Sequence, residues 1–195
     1  MLENVSTDKI DLRVRRSRKN LIEALHSLMQ EQPLQKISVQ DITELAMVNR
    51  STFYAHFTDK YDLFKAAIGD RIRRDLSSGF VNSTGFNEEN LRMLIITAGN
   101  LMLKINKDCK PTSTSELTPL IMVELQNGIY ETVLNWTKQL DSAVATNKLA
   151  IFTSGLIFGG VTLWGQHFMN DLSIEQFTNQ IIPMLIEGVG KSLTT

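Results

Sequence analysis

The chain has one cysteine, Cys109, only four prolines, and no stretch of strand-like alternation between apolar and polar residues. Each scarcity excludes something. One cysteine cannot close an intrachain disulfide and fits a reducing compartment. Few prolines and long apolar periodicities argue against a strand-rich fold and for helix. The N-terminal stretch MLENVSTDKIDLRVRR has no apolar run, so it does not read as a signal peptide. There is no glycine-rich phosphate loop, no nucleophile elbow and no HExxH, so no enzyme is expected. His26, His56 and His167 are too scattered to make a metal site with Cys109 or the acids, and no cofactor is implied. Cys109 has Lys107 and Lys110 beside it, an arrangement that can lower a thiol pKa and leaves a redox-sensing role open.

What is present suits one domain or two small ones with a real core: 195 residues, 43% hydrophobic and 21% charged. Net charge is −1, but it is unevenly spread. Residues 1–78 carry 13 basic and 11 acidic residues, net +2, and residues 79–195 carry 7 and 10, net −3. Most of the positive charge forms one knot, Arg13, Arg15, Arg16, Arg18 and Lys19, which is either a solvated helix end or a phosphate-binding cluster. From Leu149 to Asn170 there are 22 residues without Asp, Glu, Lys or Arg. That length can span a bilayer. However, the run contains four glycines and six polar residues and lacks a flanking basic cluster. It reads as a helix buried on nearly all sides, in a core and a subunit interface, with no membrane partner.

Helix signals follow one another along the chain. Residues 1–10 read as a polar arm and about 12–30 as a first helix, with Leu21, Leu25, Leu28 and Met29 on one face and Pro33 as its stop. Ser38 with Asp41 resembles a capping box opening a second helix to Leu45, although Asp stands where Glu or Gln is preferred. Ala46-Met47-Val48 is the turn, and a third helix starts at Asn49 or Arg50 and ends near His56. A fourth, capped by Thr58 or Asp59, spans about 60–77. After a break at 79–87, Asn87 caps a fifth helix to about 106. A polar, two-proline loop follows, then a helix from Thr118-Pro119 to about 140. The uncharged helix spans about 146–169, and Ser173 with Gln176 boxes a last helix to about 189.

The segment 38–64 has the grammar of a helix-turn-helix, whose second helix enters the major groove and offers polar side chains from its N-terminal part to base edges. Those side chains are Asn49, Arg50, Ser51 and Thr52, while Phe53 and Phe57 pack inward. Arg50 suits a bidentate contact to guanine. His56 stands within reach of a phosphate, and Arg16 and Arg18 belong to an arm that reaches a flanking groove.

These residues carry a resemblance. SVQDITELA, VNRSTFYAHF and DKYDLF place Phe53-Tyr54, Phe57, Lys60 and Leu63 in the order and spacing of the tetracycline-repressor (TetR/AcrR) family of transcriptional regulators. The match covers about residues 14–68; the remainder is similar only in architecture. The resemblance implies that Tyr54 and Lys60 clamp phosphates and that Ser38 and Thr43 lie near the DNA backbone. It also implies a cytoplasmic homodimer on a palindromic operator, a repressor by family default, with a ligand-responsive C-terminal domain. Many members have Gly where this chain has Met47, so that turn has either a negative φ or local strain.

The expected fold is all-α, with a three-helix DNA-binding domain over 1–58 and a helical regulatory and dimerisation domain over 59–195. In the latter, Leu156, Gly159, Gly160, Leu163 and His167 form one stripe and Phe177, Ile181 and Leu185 another, suited to an isologous interface. Met102, Ile105, Met122, Trp136, Phe152, Phe158 and Trp164 offer soft and aromatic walls for a hydrophobic or aromatic effector; taken singly, each reads more readily as plain core. A second reading keeps the fold but makes the chain a coactivator or adaptor controlled by a protein partner in place of a small ligand.

Overall fold

The computed structural model describes residues 4–78, 85–108, 116–138 and 143–193. Within these, every regular element is helical: α1 (Asn4–Glu31), a short 3-10 turn (Leu34–Lys36), α2 (Val39–Leu45), α3 (Arg50–His56), α4 (Lys60–Ser77), α5 (Glu88–Asp108), α6 (Thr118–Thr137), α7 (Ala143–His167) and α8 (Ile174–Leu193). The chain divides into two compact units, Met1–Ile68 and Gly69–Thr195, so the division falls inside α4.

In the first unit, α1 packs on α2 and α3, which pack on each other. Leu21, Ala24 and Leu25 of α1 meet a core of Leu34, Ile37, Ile42, Ala46, Phe53, Phe57, Leu63 and Phe64, all buried. Each large apolar side chain removed from water here stabilises by about 1.5–3 kcal/mol. The first helix starts at Asn4, not near residue 12, so most of the expected arm is helix. The physical reason is the lack of a stop: no Gly or Pro occurs between Met1 and Gln32.

In the second unit, α7 packs chiefly on α6 and α5, and α8 on α5. α7 buries Ala150, Thr153, Ile157, Val161 and Trp164. Among the described residues it contains the one stretch long and apolar enough to cross a membrane, Asn147–His167 with mean hydropathy 1.3, and 44% of that window is buried inside the protein. Trp164 is almost fully buried, stacks on Phe177 at 6.3 Å and donates its indole N–H to the carbonyl of Leu172 at 2.7 Å. The expected caps form: Asn87 Oδ1 accepts from the backbone N–H of Asn90, and Ser173 and Gln176 bond reciprocally. The N-cap of α6 is Leu117, one residue before the expected Thr118, which leaves Pro119 in the first turn, where its missing N–H costs nothing. Pro183 lies inside α8, where it leaves the carbonyl of Asn179 without its helical donor.

Candidate nucleic-acid interface

The helix pair is held by its caps. Ser38 Oγ accepts from the backbone N–H of Asp41 at 3.1 Å, and the Asp41 carboxylate accepts from the backbone N–H of Ser38 at 2.8 Å. Asp therefore closes the box as Glu or Gln would. The hydrogen bond from the Ser38 backbone N–H, and after it one from the Ser38 side chain, hold the Asp41 carboxyl below the usual aspartate pKa.

At its other end, α2 stops in a Schellman motif. Val48 N–H donates to the carbonyl of Thr43 at 3.0 Å, Met47 N–H donates to that of Glu44 at 3.1 Å, and Met47 has φ 53. Of the two readings left open for Met47, the structure has the strained one: a residue with a Cβ in the left-handed region. Its side chain is 89% exposed, so packing does not compensate.

The turn delivers α3 with Phe53 fully buried and Phe57 nearly so, 6.0 Å apart. This pair fixes which face of α3 points outward. Asn49 sits at the N-cap with extended backbone, and its side chain makes no capping bond. Asn49, Arg50 and Ser51 are exposed, Thr52 is half-buried and Tyr54 is exposed. Arg50 lies over the Tyr54 ring at 5.8 Å and donates from Nη2 to its hydroxyl at 3.4 Å, so the two sit as an i, i+4 pair on the outer face.

Other candidates are placed differently from the sequence expectation. Thr43 is buried, and its hydroxyl donates to the carbonyl of Gln40 at 3.0 Å. Lys60 Nζ donates to the carbonyls of Gln35 at 2.9 Å and Ile37 at 2.8 Å. Two of its three N–H bonds thus staple the start of α4 to the 3-10 turn, and one remains for a phosphate. Arg16 is exposed and Arg18 half-buried, but on a helix, not on an arm; the Arg18 guanidinium lies 5.8 Å from the Phe57 ring centroid. His56 shares a 2.7 Å hydrogen bond with Ser17 of α1 through Nε2. Sequence reasoning missed Ser17, since nothing local joins residues 39 apart.

In the second unit the proposed pocket residues do not share one environment. Met102, Trp136 and Trp164 are buried, Met122 and Phe158 half-buried, and Phe152 is 60% exposed. The Ile105 side chain and Cys109 lie outside the described residues. The stripe on α7 is coherent: Leu156, Leu163 and His167 are exposed at helical spacing, and a Cβ at Gly159 would meet nothing within 4 Å. Gly160 is turned differently, since its Cβ would touch Phe177 at 3.4 Å. On α8, Phe177 and Ile181 are half-buried and Leu185 is buried in the protomer, while its neighbour Met184 is 74% exposed. Among the described residues no group of three or more His, Cys, Asp or Glu can hold a metal ion.

Residues 21–67 match the family model of bacterial regulatory proteins, tetR family. No curated protein sequence matches the chain. Among solved structures, the TetR family repressor AlkX from Dietzia sp. strain DQ12-45-1b, implicated in biodegradation of n-alkanes, is similar with TM-score 0.51 and 14% identity, over 90% of this chain and 96% of that one. The fatty acid degradation regulator FadR from Bacillus halodurans matches with TM-score 0.44 and 17% identity, over 86% and 93%. FadR from Bacillus subtilis in complex with stearoyl-CoA matches with TM-score 0.42 and 20% identity, over 87% and 98%. The likeness to AlkX is one of fold.

Proposed function

We propose that this chain, a transcriptional regulator of the tetR family, binds a palindromic operator as a cytoplasmic homodimer and represses transcription until a hydrophobic or aromatic effector releases it. The observation that carries the reading is the face of α3: Asn49, Arg50, Ser51 and Tyr54 exposed above an anchor of buried Phe53 and Phe57. Polar side chains at the N-terminal part of such a helix read base edges in the major groove. Arg50 is assigned to a guanine, with Tyr54 and the remaining Lys60 N–H on phosphates.

One reader covers one half-site, and a dimer holds two at fixed spacing. The exposed stripe Phe152, Leu156, Gly159 and Leu163 is the surface assigned to the second copy, with Met184 contributing from α8. An effector acts by binding the conformation that does not hold DNA; a coupling of ~1–3 kcal/mol changes operator affinity ~5–150-fold. α4, continuous from Lys60 to Ser77, is the lever that carries this coupling along the chain.

The same exposed stripe favours a second reading, in which a protein partner occupies it and controls the regulator in place of a small ligand. Two measurements test the first reading. Selection of bound fragments from sheared genomic DNA at near-physiological salt is expected to yield a palindromic site that Arg50→Ala loses. Sedimentation of the purified chain is expected to give a dimer that Leu163→Glu splits. A wild-type monomer would move the α7 stripe to the protein partner, and weak sequence-independent binding would remove the operator.

A further inference from the structure

Within the N-terminal unit, a cleft of about 690 Å³ lies between the N-terminal half of α1 and the turn and recognition helix. Its α1 wall carries Arg13 and Ser17; its opposite wall carries Asn49, Ser51, Thr52 and His56. None of the residues lining it is acidic. A hollow with one guanidinium, three hydroxyls, one amide, one imidazole and no carboxylate, alongside Val14, Met47, Val48 and Ala55, suits a phosphodiester strand.

Two contacts give α1 its place on this cleft. Arg13, Ser17, Leu21 and Ala24 fall at i, i+4, i+8 and i+11, one face of the helix. Leu21 and Ala24 anchor that face in the core. Two turns before Ala24, Ser17 makes the 2.7 Å hydrogen bond to His56 Nε2 at the end of α3. The Ser17 hydroxyl also donates to the carbonyls of Arg13 and Val14, both at 3.0 Å. The Ser17–His56 bond holds with either tautomer: Ser17 Oγ accepts when His56 Nε2 carries the hydrogen and donates when it does not. The described side chains that precede Ser17 on α1, Leu12 to Arg16, are all exposed.

We infer that the Ser17–His56 hydrogen bond is a positioning contact that holds the basic end of α1 beside the recognition helix, so that Arg13 takes a phosphate of the strand lying in the cleft. This rests on the DNA-reader assignment above. It moves the α1 contact away from Arg18, which is stacked on Phe57, and gives His56 a structural partner. Arg13, Ser17 and His56 then act as one unit: the imidazole sets the helix, and the guanidinium meets the DNA.

The test is the salt dependence of affinity for a 30-bp duplex of arbitrary sequence, since phosphate contacts need no operator. Fluorescence anisotropy between ~50 and ~300 mM KCl is read for the full-length wild type, Arg13→Ala, Ser17→Ala, Ser17→Thr, His56→Gln and the control Lys19→Ala; the control residue does not line the cleft and pairs with Glu23 at 3.6 Å. Arg13→Ala is expected to reduce the slope of log K against log[salt] by about 1 per reader. Ser17→Ala should reduce it in the same direction. Ser17→Thr keeps the hydroxyl and His56→Gln keeps an N–H donor, so both should restore the wild-type slope, as should Lys19→Ala. Melting curves accompany each variant, and a slope that moves without a melting shift separates positioning from folding. Wild-type slope in both Arg13→Ala and Ser17→Ala overturns the inference while leaving the reader intact. Absence of duplex binding by the wild type at ~50 mM KCl overturns the reader assignment and this inference together.

Discussion

Replacing Met47 by Gly should stabilise the reader, and the size of the gain follows from its backbone. Met47 has φ 53 at the C′ position of the Schellman motif that ends α2. A Cβ in the left-handed region costs roughly 1–2 kcal/mol. Glycine removes that strain, but loses about 0.5–1 kcal/mol through the greater freedom of its unfolded chain. Because 89% of the Met47 side chain is exposed, truncation forfeits almost no burial. The difference leaves about 0.5–1 kcal/mol in favour of the variant. For a unit of this size, 1 kcal/mol moves a melting midpoint by about 4–8 °C, so a rise of about 2–8 °C is expected. Calorimetry of the full chain, following the transition of the N-terminal unit, reads it. Met47→Ala is the control: it removes the thioether but keeps the Cβ, and should leave the midpoint near wild type. If Met47→Gly melts no higher than Met47→Ala, the turn is unstrained and the reasoning fails.

Other perturbations separate roles that the sequence leaves mixed. Lys60→Met keeps the stem but deletes the bonds from Nζ to the carbonyls of Gln35 and Ile37; a loss of about 1–3 kcal/mol in urea unfolding is expected, whereas weaker DNA binding at unchanged stability would make Lys60 a phosphate contact only. Thr153 is fully buried on α7 and its hydroxyl has no hydrogen-bond partner among the described residues. Thr153→Val is therefore expected to stabilise by about 1 kcal/mol, and a lower melting temperature would show that the hydroxyl is satisfied. The lowered Asp41 pKa means that its capping contribution is present above the ordinary aspartate pKa and is lost as pH falls through the lower folded-state value. Titrating stability into acid with wild type and Asp41→Asn should show the two curves converge only below that ordinary value; a constant gap down to the lowest pH would refute the sign. Gly99→Ala would drive a Cβ into Cδ1 and Cγ1 of Ile174, in a buried contact of α5 with α8. A loss of about 1–3 kcal/mol is expected, and a neutral substitution would show that α8 gives way.

Local signals carried most of the reader. The capping box Ser38–Asp41, the inward Phe53 and Phe57 and the start of α4 each depend on spacings of three or four residues, and these are visible in the chain. What was hidden is long-range or conformational. Ser17 and His56 are 39 residues apart and meet only once α1 packs on α3. Lys60 looks like a surface cation until the carbonyls of Gln35 and Ile37 come to it. Met47 was legible as a choice between two backbones, and only the φ decides. On α7, apolar residues cover every side, so hydrophobicity alone could not sort Trp164, which is buried, from Phe152, which is exposed. On α8, Leu185 and Met184 are both apolar neighbours, and one points in and the other out.

The assignment of α3 as the base-reading element is tested most directly by a base-by-base affinity profile of the selected fragment, measured for wild type and Arg50→Ala at one fixed salt concentration. Each base pair is changed in turn and the affinity read by anisotropy. The expected result is that wild type loses ~1–3 kcal/mol at a guanine in each half-site and that Arg50→Ala is indifferent at that position alone, keeping its other preferences. A uniform loss of affinity across all sequences, with the profile unchanged in shape, would contradict the account and reduce Arg50 to a phosphate contact.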